Sequence, residues 1–443
     1  MQVTFIKPTL GSLREGERFI DEARMEPLSL GILAGLTPPG VDCRLFDDRV
    51  DEIDYDEPTD LVAINIETFT ARRAYEISAE YRARGMKVVM GGMHATLIPD
   101  EVAAHADAVV TGDAETIWPQ VVADARAGQL RPRYAGIPGI PQPGAVPRRD
   151  LYKGKKYLPV SLMQFGRGCR FTCEFCAVTR YFDHCHYYRP VDEVAAEIEA
   201  LPRKEIFFVD DNFVANPEAA KELLRALIPL KVRWVSQSSL DHTRDPEMLR
   251  LFAESGCLGN VIGFESLDAD NLRQMRKSAN LAGFDGYAEA VAALRAHHLQ
   301  TWAAFALGYD HDTVESILQT CEWGIENHFT FAAFNVLMPY PGTPFYDRLK
   351  EEGRLLYDGC WWLHPSYRFN HAAFKPARMT ADQLTEAGWD CRKRWSSWPS
   401  ILTRALDPST NMASLYRFAT YVAYNPLYRR EAFKRQNMRL GVR

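Results

Sequence analysis

Cys169, Cys173 and Cys176 stand in the stretch Gly166-Arg167-Gly168-Cys169-Arg170-Phe171-Thr172-Cys173-Glu174-Phe175-Cys176, a C-x3-C-x2-C triplet. Three thiolates on one short loop can hold three irons of a four-iron, four-sulfur cluster, because cysteine thiolates are the usual ligands of such clusters. No fourth cysteine lies in the loop. The fourth iron then keeps a position open for an outside ligand, and an open metal position is where chemistry happens. Two other uses of the same residues exist. Cys185, His184 or His186 could complete a tetrahedral zinc site with the triplet, although structural zinc sites usually carry paired C-x2-4-C knuckles. The three could also be plain buried thiols, since free cysteine packs as a small hydrophobe.

The spacing, with the aromatic Phe175 just before the last cysteine, resembles the signature of radical SAM enzymes. The resemblance implies that the open iron takes the amino and carboxylate groups of S-adenosylmethionine (SAM). An electron from the [4Fe-4S] cluster, supplied by a flavodoxin- or ferredoxin-type donor, then splits the sulfonium. The resulting 5′-deoxyadenosyl radical removes a hydrogen atom from substrate. Phe175 sits where the family's aromatic residue contacts adenine.

These cysteines must be held by rigid elements. Residues 158–345 read as six strands, Leu158–Gln164, Ile206–Val209, Arg233–Gln237, Asn260–Phe264, Thr301–Leu307 and Phe331–Leu337, with helices between them. Asn216-Pro217-Glu218 and Asp245-Pro246-Glu247 are helix starts: a capping side chain, proline at the first helical position, acid in the first turn. Six strand–helix units suggest a partial (β/α)6 barrel, as in the radical SAM family, with functional residues at the strands' carboxyl ends. The resemblance makes Asp210, Asp211 and Asn212 candidates for the methionyl amine. Ser236 and Gln237 are candidates for SAM or substrate. Glu265, in Ile262-Gly263-Phe264-Glu265-Ser266, matches the family's ribose-binding stretch; a salt bridge at the barrel rim is its other reading. No residue is singled out as the catalytic acid or base.

Residues 1–130 alternate short apolar runs (Val3–Ile6, Cys43–Phe46, Leu61–Ile66, Val88–Met90, Ala108–Val110) with helical patterns (Leu28–Leu36, Ala71–Arg84, Pro99–Ala106, Glu115–Ala127). Such alternation predicts an α/β, doubly wound, Rossmann-like domain with ligands at the strands' carboxyl ends. Gly91-Gly92-Met93-His94-Ala95-Thr96 leaves one such end, and Thr111-Gly112-Asp113-Ala114-Glu115 the next. This order resembles the cobalamin-binding domain that precedes many radical SAM domains. It implies bound cobalamin, with Gly91 and Gly92 along the nucleotide tail and His94 as a candidate contact. The D-x-H-x-x-G pattern that gives cobalt a histidine in other cobalamin proteins is absent. Residues 131–157, rich in Pro, Gly and Arg, read as a linker.

Residues 346–443 read as a mainly helical region, with residues 381–405 helical. Its tryptophans and arginines suit a helical cap on the barrel, a bulky or lipid-like substrate, or a membrane surface. The chain has 443 residues, 47% hydrophobic and 25% charged, with formal net charge −6, which argues against a nucleic-acid binder. Nine cysteines, no long apolar run and a strand-like N-terminus predict a cytoplasmic protein. The combined expectation is a radical SAM enzyme that methylates an unactivated centre of a small-molecule substrate with cobalamin. The alternatives are a cobalamin-independent radical cyclisation or rearrangement, and a non-catalytic iron–sulfur electron-transfer or regulatory protein.

Overall fold

The computed structural model describes residues 1–14, 17–18, 24–139, 143–282 and 284–442. The first sheet has six parallel strands: β1 (Gln2–Lys7), β2 (Asp42–Asp47), β3 (Leu61–Asn65), β4 (Lys87–Gly91), β5 (Ala108–Thr111) and β6 (Arg133–Ala135). Their spatial order is β2-β1-β3-β4-β5-β6. Runs such as Leu61-Val62-Ala63-Ile64 are apolar at every position because helices cover both faces. Val62, Ile64, Val88 and Met90 pack on helix Ala71–Ala83 through Ala74, Ile77 and Tyr81. Leu61, Ala63, Val89 and Val110 face the other way, onto Leu30, Trp118 and Val121 of helices Leu28–Leu36 and Trp118–Arg126. Two expectations change here. The residues read as a linker begin by adding β6 to the sheet edge. The helix expected over 99–106 is shorter, Pro99–Ala103, opened by its proline, and the glycine loop before it forms a short helix of its own, Met93–Leu97.

The second sheet is also six-stranded and wholly parallel: β7 (Ser161–Met163), β8 (Glu205–Phe208), β9 (Arg233–Ser238), β10 (Cys257–Glu265), β11 (Gln300–Leu307) and β12 (Phe331–Val336), paired in chain order. It is an open partial barrel. Alternation along each strand sorts the side chains. Trp234, Ile262, Phe264, Phe305 and Phe334 are buried beneath the surrounding helices. Phe207, Val235, Gln237, Val261 and Trp302 point into the lumen and are only half-buried, so the lumen is open. Asn216 and Asp245 cap their helices by accepting from the amides of Ala219 and Met248.

The C-terminal region holds three helices, Ala381–Trp395, Trp398–Ala405 and Leu415–Arg435. It is not only a cap on the barrel. Trp361, Trp362 and Tyr367, in irregular chain, are buried in the core of the first sheet, and Arg439–Leu440 pairs with Gly11–Arg14.

Candidate functional site

The cysteine loop springs from a two-stranded hairpin, Gly166–Gly168 with His186–Tyr188. Gly168 has φ 77°, and a Cβ there would strike the carbonyl of Cys185, so glycine is required for the chain to enter the loop. Asp210 clamps this hairpin: its carboxylate accepts the amides of Phe165 (2.8 Å) and Gly166 (2.9 Å). Asp211 accepts the amide of Gly168 at 2.8 Å. Burial raises both carboxyls despite these bonds, Asp210 up to about 8.

Within the loop, Cys173 is buried and its thiol is pushed up to about 12 by burial, with Lys277 pulling the other way. Burial also raises Cys176, offset by hydrogen bonds from Thr179. Asn212 reaches 3.4 Å from Cys169 Sγ with its amide nitrogen. Donors aimed at sulfur favour thiolate, the form that ligates iron. One tetrahedral zinc draws its sulfurs to roughly 3.8 Å apart. Among the described residues, the group of ligand atoms all within 4.8 Å of one another is Asp268, Asp270 and His311, and the triplet is not so gathered.

Above the loop lies the end of β10. Glu265 has φ 65°, a left-handed conformation that costs a non-glycine residue energy and marks sites where surroundings fix the backbone. Its carboxylate accepts from Lys277 Nζ at 2.7 Å. A Cβ on Gly263 would sit 2.2 Å from Glu265 Oε1 and 2.8 Å from Lys277 Nζ, so this glycine makes room for the pair. Burial opposes the charge of Lys277, but Glu265 and the sulfurs of Cys173 and Cys176 hold the ammonium above its ordinary range. The rim salt bridge is therefore present, and it faces the cysteines. Gln237 points into the lumen and donates to the Asp210 carbonyl at 3.3 Å. Phe175 is half-buried at the edge of the barrel core.

Three candidates are corrected. Ser236 lies on the outer face of β9, wholly buried, where its hydroxyl accepts from Asn260 at 2.8 Å; strand alternation turns it away from the lumen. Asp210 is fully buried and both its oxygens are turned onto the hairpin amides, away from a ligand amine. His94 is also fully buried; its ring nitrogens meet Thr68 Oγ1 (3.1 Å) and Glu101 Oε1 (3.2 Å), so neither is free for the cofactor contact expected of it.

Between the two sheets lies a cavity of about 480 Å³. One wall is the carboxyl edge of the first sheet, with Gly91, Gly92 and Gly112; the other carries Leu162, Gln164, Val209 and Asp211. Its depth runs beside β3, β4 and β5, against Ala63, Val89, Val110, Leu33 and Trp118. This is an apolar slot beneath a glycine edge, and it fits a flat base on a phosphate tail; among the described residues no histidine lines it. Gly92 has φ 109°, and a Cβ there would lie 2.9 Å from the Ile66 carbonyl, so it is needed by the fold itself. Gly91 has ordinary space, with Val110 at 3.5 Å. Arg167 ties the walls together. It forms a bidentate pair with Glu115, contacts Asp113 Oδ2 at 3.1 Å, and donates to Gln164 at 2.8 Å.

The sequence reading missed Lys277 and Arg167. Lys277 is separated by twelve positions from its partner and shows no motif of its own; Arg167 sits inside the cysteine motif but its partners lie in the other domain.

The sequence profile of the radical SAM superfamily matches residues 163–324. The bacteriochlorophyllide d C-12(1)-methyltransferase of Chlorobaculum tepidum is 31% identical over 373 residues, covering 81% of this chain and 80% of that protein. The bacteriochlorophyllide d C-8(2)-methyltransferase of the same organism is 29% identical, covering 91% and 93%. In fold, the chain is similar to the cobalamin-dependent SAM radical enzyme OxsB, with TM-score 0.64 at 13% identity over 97% of this chain and 71% of that one.

Proposed function

The chain belongs to the radical SAM superfamily, and from that premise we propose that it methylates an unactivated carbon of a large, flat, apolar substrate of the chlorophyllide kind, using cobalamin. One observation carries the reading: the carboxyl edge of the first sheet and the ends of β7 and β8 line one cavity, together with Arg167, Tyr181 and Phe182, which flank the cysteine loop in sequence. When bound, the cluster and SAM supply a hydrogen-abstracting radical, and cobalamin supplies a carrier for the methyl group.

In this reading Cys169, Cys173 and Cys176 hold three irons, and Asn212 steadies the first sulfur. Lys277 is the cation suited to the carboxylate of SAM, and Glu265 the acceptor suited to its ribose hydroxyls; Gln237 lies on the lumen face of β9 and Phe175 at the edge of the barrel core. Gly91 and Gly92 let a ligand approach the backbone, while Ala63, Val89 and Val110 give its base a dry slot. With no histidine among the described lining residues, that cofactor takes no imidazole from the walls of this cavity. A second cavity, about 370 Å³, is walled by Trp302, Phe331 and Tyr428 at the open edge of the barrel and suits a planar ring system.

The test is anaerobic turnover of reconstituted protein with bacteriochlorophyllide d, methyl-labelled SAM, a low-potential reductant and hydroxocobalamin. The expected result is a labelled product one methylene heavier, with S-adenosylhomocysteine and 5′-deoxyadenosine formed in equal amounts. Formation of 5′-deoxyadenosine with an unlabelled, rearranged product would move the assignment to radical cyclisation.

A further inference from the structure

The end of the chain carries a charge that the rest does not. Residues 391–443 hold eleven Lys and Arg against two Asp and Glu, a balance of +9 in a chain of net charge −6. The two carboxylates are Asp407 and Glu431, only 1% and 4% exposed. Asp407 is consumed internally by Arg295 at 2.9 Å. The surface of this region is therefore basic on balance, with Lys393 and Arg394 also pairing with Asp390 (2.6 Å) and Glu322 (2.7 Å) beside it.

The same region exposes large apolar side chains. Trp398 (52%), Leu402 (62%) and Leu406 (69%) recur every fourth residue along helix Trp398–Ala405 and its exit, which places them on one face. The adjoining face, with Ile401 and Ala405, packs on Phe418 and Tyr421 of helix Leu415–Arg435. On that helix Leu415 (85%), Val422 (50%) and Phe433 (40%) are exposed, at spacings that return to one side. Cations interleave with these rings. The Arg429 guanidinium lies 5.7 Å from the Trp398 ring and 4.7 Å from that of Phe433. Trp389 stands 5.0 Å from Phe433, with Lys393 5.8 Å from its own ring.

Single exposed leucines are ordinary, but a cluster of them on two paired helices, edged by arginine and lysine, marks a contact surface. We propose that this helical pair docks on an anionic lipid surface. Charge selects that occupant: basic side chains at the edge meet lipid phosphates, aromatic rings rest at headgroup level, and the leucines enter the acyl boundary. No helix among the described residues is long and apolar enough to cross a membrane, so the contact is one-sided. The cavity behind these helices is lined by Ile401, Tyr428 and Arg429 on one side and by Trp302 and Phe331 on the other. The surface stands whether or not the methyl acceptor is a chlorophyllide.

The test is flotation of the full-length protein with vesicles of phosphatidylcholine containing phosphatidylglycerol. The expected result is flotation at low salt, reduced at least about tenfold by pure phosphatidylcholine vesicles or by about 0.5 M salt. Leu402→Asp/Leu406→Asp lowers it by about tenfold or more, with circular dichroism, thermal midpoint and 5′-deoxyadenosine formation unchanged. Lys393→Gln/Arg394→Gln weakens binding to the anionic vesicles only. Three results overturn the proposal: wild-type protein that stays at the bottom of the gradient with anionic vesicles, a leucine variant that floats as wild type does, or a wild-type dimer that the leucine variant dissolves while vesicles fail to compete.

Discussion

Replacing Arg167 by methionine is expected to loosen the cysteine loop from the first sheet. The side chain is 9% exposed and meets Glu115, itself 8% exposed, through both terminal nitrogens, with Asp113 Oδ2 as a further partner at 3.1 Å. Removing one member of a buried ion pair costs about 3–5 kcal/mol, because the other charge is left unpaired. Here the cavity adjoins both carboxylates and lets water reach them, so the lower end, ~3 kcal/mol, applies. The measurement is equilibrium urea unfolding of full-length protein. The double variant Arg167→Met/Glu115→Met removes the stranded charge, while Asp113 keeps the hydroxyl of Tyr181 (2.8 Å) and the amide of Gly139 (2.6 Å) as donors. It should recover at least ~2 kcal/mol of the loss, since an apolar pair of similar volume often replaces a buried ion pair without penalty. A single variant within ~1 kcal/mol of wild type, or a double variant no more stable than the single, refutes this account of the interface.

Three further outcomes are expected. In protein stripped of iron, Cys173 should react with iodoacetamide at pH 8 at least about a hundredfold more slowly than exposed Cys185, because its thiol is pushed up to about 12 and the thiolate is the nucleophile; peptide mass spectrometry reads the ratio, and equal rates contradict the burial. Burial raises the Asp210 carboxyl from 3.8 up to about 8, so the native state keeps a proton that the unfolded chain loses near pH 4. Its stabilisation is full below about pH 4 and is lost as pH rises through about 8, by up to ~1.4 kcal/mol per unit; the wild-type minus Asp210→Asn difference in urea stability should fall over that window, and a flat or rising difference contradicts it. Gly92→Ala should destabilise the fold with no cofactor present, because φ 109° and the Ile66 carbonyl both oppose a Cβ, whereas Gly91→Leu should fold normally and lose hydroxocobalamin retention on gel filtration; retention by that variant would remove Gly91 from the site.

Much of this fold is legible because parallel strands covered on both faces must be apolar at every position. Leu61-Val62-Ala63-Ile64 announces itself in that way, and Asn216-Pro217 and Asp245-Pro246 mark helix starts by their own chemistry. β6 was missed because Arg133-Tyr134-Ala135 is three residues long at a sheet edge and buries only the tyrosine. The docking of Trp361 and Trp362 on the first sheet was illegible for a different reason. Irregular chain has no period, so nothing local says which core will take its aromatics.

The site was legible where one short segment carries the chemistry and illegible where two segments must meet. The cysteine triplet and the Gly91-Gly92 turn are local. Ser236 and Gln237 are adjacent, and choosing between them needed only the strand's phase: Trp234 is a core residue, so Ser236 shares its buried face and Gln237 takes the lumen. Asp210 and Asp211 could not be separated by phase, because they follow the strand in a turn, and only the hairpin's amides show that the first is a clamp. Lys277 depends on tertiary structure twice over. Its charge is held by Glu265 and by two sulfurs from a loop a hundred residues earlier, and the space it occupies exists because Gly263 has no side chain. That dependence gives Gly263 a role no pattern assigns. A methyl group there would meet Glu265 and Lys277 before it met the lumen, so Gly263→Ala should perturb SAM affinity while the strand around it still forms.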